Sequence, residues 1–190
     1  MRINELKKTY KGRLVLDLPA MELAENKIYS IVGSNGSGKS TFAKILAGII
    51  DADSGKEALA KAGYMAQKSY AFNMSLKKNI MINGDDEDRC QELMKKLKID
   101  HLADSRAKIL SGGETAKMAL ARIMMKDYNV LILDEPTAAM DRDSVLLAEE
   151  LILNYKEKTG CTVILITHSQ EQAKRISDEI LEIEYGKLAI

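Results

Sequence analysis

Ile28-Tyr29-Ser30-Ile31-Val32-Gly33-Ser34-Asn35-Gly36-Ser37-Gly38-Lys39-Ser40-Thr41-Phe42-Ala43-Lys44-Ile45-Leu46 decides how this 190-residue chain folds. Residues 28–32 have the length and apolarity of a buried strand, while Phe42, Ile45 and Leu46 recur at helical spacing. Between them, Gly33-x-x-x-x-Gly38-Lys39-Ser40 fits a phosphate-cradling loop, a motif that works only at a strand-to-helix turn. Its glycines let consecutive N–H groups turn into one concavity, and the following helix adds its dipole. Gly33, Ser34, Asn35, Gly36, Ser37, Gly38, Lys39, Ser40 and Thr41 are therefore candidates to hold a nucleoside triphosphate. Lys39 is placed to reach the β- and γ-phosphates, and the Ser40 hydroxyl to ligate Mg²⁺. The loop alone does not separate an ATPase from a GTPase or a kinase, and a glycine-rich turn that binds nothing is the bland alternative.

Outward from this stretch, helical and strand periods alternate, which argues for an α/β domain. Val130–Asp134 and Thr162–Thr167 read as strands, separated by a helix from about Asp143 to Thr159. Asp51–Gly55 is a turn cluster, and Gly63–Gln67 a short strand ending on a polar residue. From Ser75 to about Ala103 the pattern is helical, with Leu93, Met94 and Leu97 at core spacing. Another helix begins at Gly113 and carries Met118, Ala121, Arg122 and Met125, and the tail reads as a hairpin of 179–184 and 187–190 around Tyr185-Gly186.

Asp134 ends an apolar run and is followed by Glu135 and Pro136. Ligands gather at the carboxyl ends of parallel strands, so both acids are candidates to face the nucleotide. Asp134 fits a Mg²⁺-organising role, and Glu135 is placed to take a proton from attacking water. The plainer reading is that both merely end a strand.

Lys plus Arg and Asp plus Glu number 28 each, so no global field draws the chain to nucleic acid or anionic lipid, and no direct nucleic-acid partner is expected. Cys90 and Cys161 lack metal-ligand spacing and read as idle thiols. Met1-Arg2-Ile3-Asn4-Glu5 has no apolar core of a signal peptide, and runs such as 163–166 are too short to span a bilayer, so any membrane span is expected from another chain. Asp85-Asp86-Glu87-Asp88 reads as a solvated helix start rather than a metal cluster. His101 reads as surface or loop, and Met118, Met124 and Met125 as a repackable core.

Between the loop and the two carboxylates stands Leu110-Ser111-Gly112-Gly113-Glu114. The three motifs in this order, over essentially the whole chain, resemble the nucleotide-binding domain of the ATP-binding cassette (ABC) superfamily. That resemblance implies a single domain over 1–190: a P-loop core with a mainly parallel sheet flanked by helices, an antiparallel β subdomain, and a helical subdomain inserted at about 69–126. It implies an ATPase using ATP and Mg²⁺ as a head-to-tail dimer, in which Ser111, Gly112, Gly113 and Glu114 of one copy close over ATP held by the other. Ser111 and Glu114 also have capping-box spacing, a structural account that competes with the clamp or coexists with it. By the same resemblance, Gln67 matches a glutamine contacting Mg²⁺ and water. His168 matches a histidine touching the γ-phosphate and orienting Glu135, and Asp141 an aspartate acting across the dimer. Tyr10 falls where the family places an aromatic that stacks on adenine. Met74 and Met81 flank a stretch where the family receives a helix of a membrane subunit, with core packing as the default reading.

Thr115-Ala116-Lys117 stands where the family commonly has a Gln-Arg pair, and Ala138-Ala139-Met140-Asp141 departs from the commoner Ser-Ala-Leu-Asp. The chain is short for the family, leaving no room for an appended regulatory domain. The expected function is the energy-coupling subunit of a membrane transporter. Its partners would be separate transmembrane permease subunits, with a substrate-binding protein as a further candidate. It would sit in the cytoplasm, peripheral on the inner face of the cell membrane. Thr167–Asp178 looks similar to ATPases of oxyanion importers. A non-transport cassette powering a soluble assembly, and a nucleotide-binding scaffold, are the alternatives.

Overall fold

The computed structural model describes every residue except Lys56, Glu57, Ala58, Ala60 and Ile190, so the last residue of the expected tail hairpin lies outside the described residues. The strands in chain order are β1 (Arg2–Ile3), β2 (Leu6–Tyr10), β3 (Arg13–Leu18), β4 (Met21–Glu22), β5 (Ile28–Val32), β6 (Ala62–Met65), β7 (Val130–Asp134), β8 (Thr162–Ile166), β9 (Glu179–Glu184) and β10 (Lys187–Leu188). The helices are α1 (Lys39–Leu46), α2 (Leu76–Met81), α3 (Glu87–Lys96), α4 (Gly112–Ile123), α5 (Arg142–Thr159) and α6 (Gln170–Ile176). The described chain divides into two compact units.

The first unit takes in Met1–Tyr64, Tyr128–Glu135 and Gly160–Ile190. Its main sheet runs β10-β9-β5-β8-β7-β6 among the described residues. β9, β5, β8 and β7 pair in parallel, and β10 returns antiparallel on β9. β5, β7 and β8 are buried at every position, as parallel strands covered on both faces must be. Apolar runs rather than alternation therefore marked them in the sequence. Phe42, Ala43, Ile45 and Leu46 of α1 join Tyr29, Ile31, Ile132, Ile164 and Ile166 in one core with Leu6, Leu16 and Leu18 of the β2–β3 hairpin. Two small antiparallel sheets, β1–β4 and β2–β3, complete the expected P-loop core. A register shift between Lys8 and Thr9 leaves the Thr9 N–H free to donate to Asp53 Oδ2 at 2.6 Å, while Lys8 Nζ donates to Oδ1 at 3.0 Å.

The second unit, Met65–Asp127 and Pro136–Thr159, is helical. Leu76 and Ile80 of α2, Cys90 and Met94 of α3, and Met118, Leu120 and Ala121 of α4 are buried. The expected helical stretch from Ser75 carries two α-helices, the second starting at the acidic run. Ser75 caps α2 through the Lys78 N–H, and Asp86 caps α3 through the Arg89 N–H. The acidic run 85–88 is thus the solvated start of α3, its Glu87 and Asp88 lying in the first turn. Met125 lies beyond α4, whose last turn closes at Met124, yet both methionines are buried. β6 ends at Met65, so Gln67 lies on exposed chain past the strand rather than at its end.

Asn79 shows how this unit fixes an irregular segment. Its side-chain amide donates to the carbonyls of Phe72, Met74 and Ser75 at 3.1, 3.3 and 3.0 Å and accepts from the Phe72 N–H at 2.9 Å. Arg122 of α4 donates to the Asn79 carbonyl at 2.8 Å and the Tyr70 carbonyl at 3.0 Å, and lies 5.3 Å from the Phe72 ring centroid.

Candidate active site

The first unit gathers Lys39, Ser40, Asp134, Glu135 and His168. Gly33 leaves β5 at φ 140°, and a Cβ there would lie 2.0 Å from the Ile183 carbonyl oxygen of β9. Gly38, at φ 106°, is the N-cap of α1, where a Cβ would meet Leu16 Cδ2 at 2.6 Å. Neither position admits a side chain, so the loop can hug the sheet and hairpin. The Gly186 N–H of the β9–β10 turn donates to the Ser37 carbonyl at 3.0 Å and braces the loop from the tail. No signal in the motif itself announced that brace.

Lys39 is buried, and its Nζ donates to the carbonyls of Gly33 and Ser34 at 2.9 and 2.7 Å. Burial pushes its ammonium below the ordinary lysine range, opposed by the nearby Glu135 and Asp134 carboxylates. The Ser37 hydroxyl is buried with no hydrogen-bond partner among the described residues. A lone buried hydroxyl, a cationic Nζ and glycine backbone at positive φ make a donor set suited to phosphate oxygens.

Asp134 closes β7 and is 1% exposed. Ser40 Oγ donates to its Oδ1 at 3.2 Å and the Tyr64 hydroxyl to its Oδ2 at 3.0 Å. Burial and the Asp134 charge push the Tyr64 phenol well above its ordinary range. A carboxylate beside a serine hydroxyl at a strand end suits a hard divalent cation, so the residues present fit Mg²⁺. The sequence marks Tyr64 only as part of a short strand. The signal was a phenol on a short strand three residues before Gln67.

Glu135 follows with φ 51°, a left-handed conformation uncommon outside glycine. The Glu135 N–H donates to the Ile166 carbonyl of β8 at 3.0 Å, which pins this backbone turn. Its side chain is 10% exposed, with Oε1 in direct contact with His168 Nε2 just past β8. Adjacent strand ends thus join residues that stand 33 positions apart in sequence, as the parallel β7–β8 register requires.

Tyr10 ends β2 opposite Arg13, 46% exposed, with Lys8 Nζ 5.4 Å from its ring centroid. Its hairpin is the one whose Leu16 packs under Gly38. Thr41 lies in the first turn of α1, and Asn35 and Gly36 are exposed on the loop.

Gln67, Ser111, Gly112, Gly113, Glu114 and Asp141 belong to the second unit. Ser111 caps α4 in a full capping box: its Oγ accepts from the Glu114 N–H at 3.3 Å, and Glu114 Oε2 accepts from the Ser111 N–H and hydroxyl, both at 2.7 Å. The Ser111 bonds hold the Glu114 carboxyl below its ordinary value. A Cβ on Gly113 would lie 3.1 Å from the Ala139 carbonyl oxygen, so the helix start sits tightly on the segment leading to Asp141. Asp141 accepts from the Ser144 N–H at 2.8 Å and the Ser144 hydroxyl at 3.0 Å, starting α5.

Comparison with known proteins places the chain in a family. Residues 16–138 match the family model described as ABC transporter. The tungstate uptake system ATP-binding protein TupC of Peptoclostridium acidaminophilum is 35% identical, over 98% of this chain and 95% of the relative. The zinc import ATP-binding protein ZnuC of Halorhodospira halophila is 31% identical, over all of this chain and 75% of its own. Among solved structures, the dimeric post-hydrolysis state of the ATP-binding cassette MJ0796 bound to ADP and Pi superposes with a TM-score of 0.88 at 23% identity, over all of this chain and 96% of that one. With its P-loop core and a family match over most of its length, the chain belongs to the ABC transporter family as a nucleotide-binding subunit related to import-type ATPases.

Proposed function

We propose that this chain hydrolyses ATP to drive a membrane transporter, as a head-to-tail dimer with two composite sites. The observation that carries the reading is the pairing of Ser40 with Asp134 and of His168 with Glu135 at neighbouring strand ends of the unit that holds Lys39. Lys39 neutralises the β- and γ-phosphates, the Ser37 hydroxyl and loop N–H groups donate to them, and Tyr10 offers its face to the adenine. Bound Mg²⁺ would supply charge neutralisation between the phosphates, held by Ser40 and Asp134 with Gln67 as a further ligand. Glu135 takes a proton from the attacking water, and His168 orients that carboxylate and contacts the γ-phosphate. The shared geometry of Glu135 and His168 fits general-base chemistry better than a bare strand end does, because a left-handed backbone is retained at the one residue that must face water.

Ser111, Gly112 and Gly113 of the second copy close on the γ-phosphate once Glu114 releases Ser111, with Asp141 acting across the dimer. Among the described residues no helix is long and apolar enough to cross a membrane, so the reading assigns the span to separate permease chains and places this subunit on the inner face of the cell membrane. In the second unit Tyr70, Phe72 and Ile82 are exposed and Met74 and Met81 half-buried, apolar side chains that this reading offers to a helix of that permease. The tungstate relative and the Thr167–Asp178 stretch support an oxyanion cargo delivered by a substrate-binding protein. A tagged copy should co-purify a multi-spanning chain in near one-to-one yield from gently solubilised host membranes, and a binding protein from the same system should bind tungstate or molybdate. Recovery of soluble partners only would overturn the transport reading.

A further inference from the structure

The geometry points to Tyr64 as a positioning residue that sets the plane of the Asp134 carboxylate and thereby tunes Mg²⁺ binding. Asp134 is withdrawn from solvent, and a buried carboxylate must have its oxygens satisfied by the protein or turn to find other donors. Each oxygen has a separate donor on a separate element: Oδ1 has Ser40 Oγ from α1, and Oδ2 has the Tyr64 hydroxyl from β6. One hydrogen bond leaves the broad carboxylate torsion free to swing, whereas two bonds from different directions fix it. Tyr64 does not touch nucleotide in this scheme. It acts on the metal through Asp134, holding Oδ2 so that Oδ1 stays turned toward Ser40. Partners of this kind, bonded to a ligating carboxylate, change metal affinity about 10–100-fold when removed.

The inference rests on the proposed Mg²⁺–ATP reading of the site. Its test uses the full chain carrying Glu135→Gln, which keeps ATP intact, with and without Tyr64→Phe. A fluorescent ATP analogue is titrated in EDTA and at graded Mg²⁺, alongside thermal unfolding. Tyr64→Phe keeps the ring and removes one donor, so affinity in EDTA should agree within about twofold while the Mg²⁺ needed for half of the affinity gain rises about tenfold. Coincident Mg²⁺ curves would overturn the inference, and a shift confined to thermal unfolding would assign Tyr64 a purely structural part. If the parent protein shows no Mg²⁺-dependent gain, it is the Mg²⁺–ATP reading itself that fails.

Discussion

The two glycine-rich helix starts of this chain, at Lys39 and at Gly112, are finished in opposite ways. Helix α1 begins from a left-handed Gly38, has no side-chain cap bond among the described residues, and carries no acid in its first turn. Helix α4 begins from Ser111 with both halves of a capping box made and Glu114 in its first turn. The donors at the first start are left for an outside anion, since helix N–H groups need some acceptor. At the second, Glu114 already occupies the Ser111 hydroxyl and N–H that a γ-phosphate would use. On the proposed reading, one start is a standing phosphate site, and the other is a self-satisfied one that releases its own carboxylate to clamp ATP.

The largest effect expected from breaking this arrangement is at Glu135. Glu135→Gln should leave nucleotide affinity within a few-fold and lower turnover by at least about 100-fold, the usual scale of a general base. Steady-state phosphate release beside equilibrium binding checks it, and near-normal turnover would remove Glu135 from that role. Next is Ser111→Ala, which strips the clamp and the cap together. It should cut turnover about tenfold and lower stability by about 1 kcal/mol, as N-cap losses do. Because Ser111 holds the Glu114 carboxyl low, that bond contributes fully above the unfolded value of about 4.5 and fades as pH falls through the lower folded value. The stability gap between Ser111→Ala and the parent should accordingly narrow in melts taken below pH 4.5, and a gap constant with pH would detach the cap from Glu114. The smallest effect belongs to Glu114→Gln, which keeps capping geometry but removes the competing charge. The variant should need about two- to fivefold less ATP for half-maximal activity, whereas a higher requirement would make Glu114 itself part of the clamp.

The P-loop core was legible because its signals are local. Residues 28–46 carry strand, loop and helix in one uninterrupted stretch, and β7 and β8 are apolar apart from Asp134 and Thr162. The Asp134–Ser40 and Glu135–His168 pairs follow from strand order once those strands lie parallel. What stayed hidden depends on register between distant segments. Tyr64 reaches Asp134 only because β6 ends beside β7, and Gly186 braces Ser37 only because the tail hairpin returns to the loop. The start of α3, by contrast, was legible in the acidic run 85–88, where Asp86 caps the helix. The capping box at Ser111 was readable from spacing alone, since both its partners lie within four residues.

The central claim is that Ser111 of one copy completes the site built on Lys39 of another. Light scattering during size-exclusion chromatography of the Glu135→Gln chain, with ATP and Mg²⁺ and again in EDTA, tests it most directly. The account predicts twice the single-chain mass with ATP–Mg²⁺, reverting to one chain in EDTA or when Ser111 is replaced by a bulky residue. A single-chain mass at saturating ATP–Mg²⁺, persisting when the permease partner is supplied, would contradict the composite site.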